Sequence, residues 1–416
     1  MRHRLKTGLS EMMTEPIQKN NVKNTICVFA LYSFAFALPV SLPVAEFFIL
    51  LAIFTGMLLA FSVVGAFEFR TVLVIPIALF VVVALVGTIW SLRPAVSFGK
   101  LHRLLFLLVI FQIPASIGAV RRVEIESLMT AFVCGTSLKA LYDIFRIPLS
   151  VINGGSLYDA GSMTMPQFYM VALCIFAAVF GRDLFGRVFA GKNWQHLFFS
   201  ALALNIVGLI IHFKRGVWLA CVLSVCFLLT MRRRWRVIVA LSLCVLALPL
   251  LPQVRTRLAQ LPEEFSEMQG GRWVLWTKVA PALISEYPRG VGWQALSHED
   301  LAKNATYVQP GLDHLHNNVL QVAVELGIAG ALIWILWMLW TVGYMVSVYR
   351  RLRYAKHKHA SLALGVLAGF ISLLLNGFVE NNFDDGEIML LYCLLIGSAV
   401  LLRKSVEIKD KSLACV

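Results

Sequence analysis

Apolar runs about twenty residues long, parted by short polar or charged breaks, follow one another along nearly the whole chain. At 1.5 Å of rise per residue, such a run is what a helix needs to cross ~30 Å of hydrocarbon. Twelve candidate spans begin near Thr25, Glu46, Thr71, Leu104, Ile125, Met165, Trp194, Gly216, Val237, Val319, Ala360 and Ile388. The predicted architecture is an all-α polytopic membrane protein with one large, partly helical outer loop between helices 9 and 10. It comprises a cytoplasmic segment at 1–24, helices 1–9 within 25–251, the loop at 252–318, helices 10–12 within 319–402, and a cytoplasmic tail at 403–416. As one unbroken helix, Val319 to Tyr349 would measure ~46 Å, ~16 Å more than the hydrocarbon, and is expected to project outward.

Composition agrees with a membrane protein: 59% of the 416 residues are hydrophobic and 14% charged, outside the balance of a soluble domain. The net charge of +14 falls in short clusters between apolar runs, which argues against nucleic acid as a partner. Seven of the eight cysteines lie inside apolar runs and no CxxC occurs, so neither a disulfide frame nor a zinc site is indicated. The polar start "MRHRLKTGLSEMMTEPIQKNNVKN" is followed by no small-residue cleavage site, and no cleaved signal peptide is expected. With loops assigned alternately from a cytoplasmic N-terminus, 24 of the 37 Lys and Arg fall inside and 13 outside, six of those in the one long loop. That asymmetry among short loops places both termini in the cytoplasm and the long loop outside.

Four outward features carry candidate chemistry. In "HFKRGVWLA", Lys214 and Arg215 open the eighth span. A helix N-terminus with arginine makes an anion site, although interfacial anchoring to lipid headgroups explains the same residues. In "GGRWVLWTKVAPALISEYPRGVGW", Trp273, Trp276, Ala280, Leu283 and Tyr287 recur at helical spacing, a stripe for packing or for the membrane interface. Arg272 and Lys278 lie off that stripe, and Pro281 should kink or shorten the helix. "DHLHNN" puts Asp313, His314 and His316 together; a metal site needs a third strong ligand, and imidazole suits a general base. Asn317 is positioned to cap the tenth helix. Finally, "VENNFDDGE" holds Asp384 and Asp385, read as a solvated acidic turn, a divalent-metal pair, or a carboxylate that orients a histidine or arginine. Within the spans, Lys139 and Asp143 are spaced to pair with each other.

These residues carry a resemblance. His316, Asn317, nine residues and then Gly327-Ile328-Ala329-Gly330 resembles the outer-loop signature of O-antigen ligases. "KRGVWLA" and "GGRWVLW…YPRGVGW" are similar to further segments of the same family, in the same order. The resemblance implies a multi-pass glycosyltransferase of the Gram-negative inner membrane with its active site on the periplasmic face. It would move O-antigen from undecaprenyl pyrophosphate to a sugar hydroxyl of lipid A–core, among membrane lipids, with no cofactor and no metal. His316 would be the base, with His314 or Asp313 orienting it and Asn317 supporting. Arg215 and Arg272, with Lys214 and Arg289, would meet the pyrophosphate, and the acidic turn would supply another carboxylate, Asp385 or Asp384. O-antigen polymerases and protein O-oligosaccharyltransferases share these features. A lipid-glycan flippase or transporter is the reading from another class, and it wants charged residues deep in the spans.

Overall fold

Hydrocarbon offers backbone N–H and C=O groups no water, so a chain this apolar satisfies them within helices. The computed structural model describes residues 25–60, 69, 71–119, 124–152, 161–179, 194–234, 236–237, 255–256, 259–266, 268 and 271–414, and among these all regular structure is helical. Apolar helices stand at eleven of the twelve predicted positions; the ninth falls almost wholly outside the described residues. Five are long and apolar enough to cross a membrane: Pro94–Ala115, Ile125–Ser150, Trp194–Ile211, Asn318–Tyr354 and Gly386–Lys404. Six are shorter.

In chain order the helices are α1 (Thr25–Ala37), α2 (Leu42–Ala60), α3 (Val74–Ile89), α4 (Pro94–Lys100), α5 (Val109–Ala119), α6 (Ile125–Ile152), α7 (Met165–Ala178), α8 (Trp194–Ile211) and α9 (Arg215–Met231). Then come α10 (Arg272–Val274), α11 (Ala280–Glu286), α12 (His298–Lys303), α13 (Asn318–Tyr354), α14 (Ala360–Asn376) and α15 (Gly386–Ala414). The fourth span starts at Pro94, well ahead of Leu104, because proline is at home in a first turn, and it runs through a 3-10 stretch, Leu101–Leu108, into α5. α14 packs on α7, α9 and α13, while α15 packs on α5. Large apolar side chains such as Phe47, Ile75 and Leu336 stay more than half exposed on the outer faces of the helices, as a lipid-facing surface requires.

Loops expected on one side of the membrane meet one another. At one end Arg93 reaches Asp300, Arg103 reaches Gln294, Thr164 reaches Asp385 and Arg272 reaches Glu380. At the other end Arg232 reaches Ser361 and Glu126 takes His359.

The tenth span departs from the single rod expected of it. Gly327 has φ 73 and ψ 174, a conformation open essentially to glycine alone, and it breaks α13 into a first section of about two and a half turns and a long second section. The carbonyls of Val324 and Glu325, whose helical partners lie beyond that break, accept instead from the N–H groups of Val291 and Gly292, each at 2.9 Å. "PRGVGW" is therefore a backbone graft onto the broken helix. The approach is so close that a Cβ on Gly290 would stand 2.2 Å from the Glu325 carbonyl oxygen. Trp293, which ends this graft, is fully buried and meets Phe80 edge-on. Pro281 leaves its mark one turn upstream, where a π turn, Leu275–Val279, joins α10 to α11. Ala280 and Leu283 of the predicted stripe are buried in a small loop core with Val291, Leu315 and Val324, while Trp273 is half exposed.

Gly290→Ala and Gly327→Ala should each lower the thermal midpoint markedly, by an amount corresponding to ~1–3 kcal/mol or more. Gly343→Ala, in open space on α13, should leave it unchanged or raise it slightly. Differential scanning fluorimetry of the purified variants checks the contrast; equal midpoints for all three would contradict the graft.

Candidate active site

The acidic turn after α14 is held by what it buries. Phe383 is 1% exposed and sits among Phe80, Trp334, Trp337 and Tyr392, with ring centroids 5.6 to 5.9 Å away. Asn382, wholly buried, donates to Gln167 and to the Leu373 carbonyl and accepts from Asn318. Opposite, Asn317 caps α13 by accepting from the Leu320 N–H, as its position implied, and donates to the Phe378 carbonyl. The Asn318 N–H donates to the Gly377 carbonyl. The start of α13 and the end of α14 are thereby pinned together, which brings His316 to Glu380.

At the centre is a chain of alternating charge. Arg215 donates to Glu264 Oε1 at 2.9 Å, and Arg272 Nε lies 3.8 Å from Glu264 Oε2. Arg272 Nη2 donates to Glu380 Oε2 at 3.1 Å, and Glu380 Oε1 is 2.8 Å from His316 Nδ1. Facing a carboxylate, Nδ1 is the protonated nitrogen, so Nε2 keeps its lone pair. His316 adopts φ 51, a left-handed backbone that few non-glycine residues hold, and Phe213 (φ 52) and Gln294 (φ 48) do the same nearby. Strain of this kind gathers where side chains must be aimed.

The two histidines, with ring centroids 4.3 Å apart, are driven in opposite directions. Burial, seconded by the charges of His314 and Arg272, holds His316 below the ordinary histidine value despite Glu380. Burial also opposes protonation of His314, but Asp313 and Glu380 outweigh it and push it up to about 9. Burial favours the neutral form of Glu380 too, yet hydrogen bonds from both histidines and the nearby charges hold it well below the usual carboxylate range. At neutral pH this is a neutral imidazole, an imidazolium and a carboxylate, and environments that push neighbours apart in this way assign acid and base roles.

The structure brings Lys214, Arg215, Arg272, Asp313, His314, His316 and Asn317 to one end of the bundle, and it places the remaining candidates elsewhere in that region. Arg289 lies over the Trp90 ring, 5.5 Å from its centroid. Asp385 accepts from Thr164 at 2.9 Å, and Asp384 accepts from Asn381 at 2.7 Å; burial, with the charge of Asp385, raises the Asp384 carboxyl above its ordinary value. The carboxylate in contact with His316 is Glu380, of the same turn, and Glu264 is the second acid that sequence reading passed over. Lys139 pairs with Asp143 at 2.8 Å as expected, and Arg146, Tyr169 and His212 join them.

Two spaces open on this chain. A small one, about 30 Å³, is lined by Met163, Lys214, Arg215, Arg272, Asn376 and Glu380 among others. A larger one, about 520 Å³, is lined by Lys100, Arg103, Gln294, His314, Gln321, Glu380 and Asp384 among others. Glu380 and Met163 form the wall between them. His314, His316 and Glu380 also satisfy the spacing of a metal site, with candidate ligand atoms within 4.8 Å of one another; Glu380 would be the third ligand that sequence reading did not supply.

A family model described as O-antigen ligase matches residues 200–335, and this supports a member of the O-antigen ligase and polymerase superfamily. The match takes in Arg215, Arg272, His314 and His316 but stops short of Asn376 and Glu380. Among curated proteins none matches the chain.

Because His314 is raised in the folded state, its contribution to stability is complete below about 6.5 and is lost as pH rises towards about 9. The thermal midpoint should therefore decline across that window. In Glu380→Gln the decline should flatten, and the His314 ring, followed by NMR, should titrate at lower pH. An unchanged His314 titration would contradict the pairing.

Proposed function

We propose, proceeding from that superfamily, that this chain is an O-antigen ligase: an inverting glycosyltransferase of the Gram-negative inner membrane with its site on the periplasmic face. Its donor is O-antigen on undecaprenyl pyrophosphate and its acceptor a sugar hydroxyl of lipid A–core. The observation that carries this reading is the chain from Arg215 through Glu264, Arg272 and Glu380 to His316, which sets two guanidiniums and an imidazole at one site. These are the groups required when a diphosphate leaves and a hydroxyl attacks.

The reaction is a single displacement. The acceptor oxygen attacks the anomeric carbon, and the bond from that carbon to the phosphate oxygen breaks. The electron pair leaves on undecaprenyl diphosphate, and His316 Nε2 takes the hydroxyl proton. Glu380 holds the ring by Nδ1 and steadies the imidazolium as it forms. Arg215 and Arg272, with Lys214 nearby, meet the charge that grows on the diphosphate, and positive charge on His314 adds to the field. The larger space, within the ~300–1,000 Å³ usual for small-ligand sites, suits the sugars that react.

A site of about 30 Å³ has room for a water but not for a diphosphate. Glu264, in the 3-10 turn Leu261–Phe265, holds both guanidiniums as an anion does, and the donor must displace it. Glu264→Ala should therefore tighten binding of inorganic pyrophosphate several-fold, measured by calorimetry; weaker binding would make Glu264 a support of the arginines instead.

The metal-binding geometry of His314, His316 and Glu380 favours a second reading, a His₂Glu site in which a bound cation activates the acceptor. Reconstitution with lipid-linked glycan and lipid A–core separates the two. On the base reading, transfer survives EDTA, and His316→Ala costs about 10²–10⁴-fold in kcat. Arg215→Ala and Arg272→Ala cost at least about 10²-fold each. Loss of transfer with EDTA, restored by one divalent metal, would establish the metal reading. Replacing lipid A–core by a second lipid-linked glycan tests the polymerase alternative in the same assay.

A further inference from the structure

Asn376, the last residue of α14, is 1% exposed, and among the described residues neither end of its carboxamide has a hydrogen-bond partner. Two unpaired polar atoms in a buried side chain are costly, and folded proteins seldom leave them so without a reason. The same side chain lines the small space with Lys214, Arg215, Arg272 and Glu380. It lies against the first turn of α9, since a Cβ on Gly216 would stand 3.5 Å from Asn376 Oδ1. That turn opens a 17-residue helix, whose free N–H groups and partial positive charge favour an anion.

We propose that Asn376 is a ligand of the diphosphate, its Nδ2–H donating to a phosphate oxygen beside the guanidiniums. This rests on the functional reading above and extends it to a residue beyond the family match. A neutral amide suits the position. Glu264, Glu380, Arg215, Arg272 and Lys214 already crowd it with charge, and a further buried ion would carry a desolvation cost of its own. The amide adds direction, and its hydrogen bond strengthens as the phosphate oxygens gain charge in the transition state.

Asn376→Leu distinguishes a ligand from a structural accident. The substitution removes two unpaired polar atoms at similar volume, so the thermal midpoint of the full-length protein in detergent should hold or rise. Affinity for inorganic pyrophosphate, measured by calorimetry, should nevertheless fall by about ten- to a hundredfold, the worth of a hydrogen bond to a charged group. The KM for the acceptor should not move. Should the leucine variant fail to fold, Asn376→Ala should show the same fall in pyrophosphate affinity. Parent-like affinity in the folded variant overturns the assignment of Asn376 while leaving the functional reading intact. A parent protein that binds no pyrophosphate and makes no glycoside from the lipid-linked donor overturns both.

Discussion

A carboxylate buried among cations organises this end of the molecule. Glu380 remains ionised in a place that disfavours charge because Arg272, His314 and His316 all face it. Remove the carboxylate and three groups lose the partner that fixes them; remove a cation and the acid is left uncompensated. The arrangement decides which imidazole nitrogen carries the proton, which histidine is charged, and where the second guanidinium points. Its strength comes from exclusion of water, since the same groups at a surface would be worth little to one another.

Such a cluster needs a rigid frame, and apolar burial supplies it. Phe383 and Trp293 reach into the same aromatic core through Phe80, one from the acidic turn and one from the long loop. Asn318 and Asn382, both buried and mutually bonded, lock the helix ends that carry His316 and Glu380. The left-handed backbone at His316 survives because both flanks are pinned in this way.

The apolar helices were legible because long apolar runs suffice to find them, and Asn317 as a cap because local chemistry dictates it. Lys139 and Asp143 were legible for the same reason, four residues apart on one helix. Glu380 was not. It pairs with a histidine 64 positions away, a contact made by the packing of α13 on α14. The two adjacent aspartates looked more like a site than a lone glutamate did, yet their partners are Thr164 and Asn381. Hydropathy likewise saw one long tenth helix, because the break at Gly327 costs no apolar residues; only the backbone angle betrays it. Arg289 looked like its neighbours in type, but it follows Pro288 out of the turn to Trp90.

The graft of the long loop onto the interrupted helix bears on how such proteins diversify. Loops that merely connect can be traded between relatives as modules. This one completes the hydrogen bonding of Val324 and Glu325 through its own backbone, at a spacing that admits no side chain on Gly290. Loop and helix therefore form a single hydrogen-bonded unit, and a chimera that exchanges one without the other would leave two carbonyls without their donors.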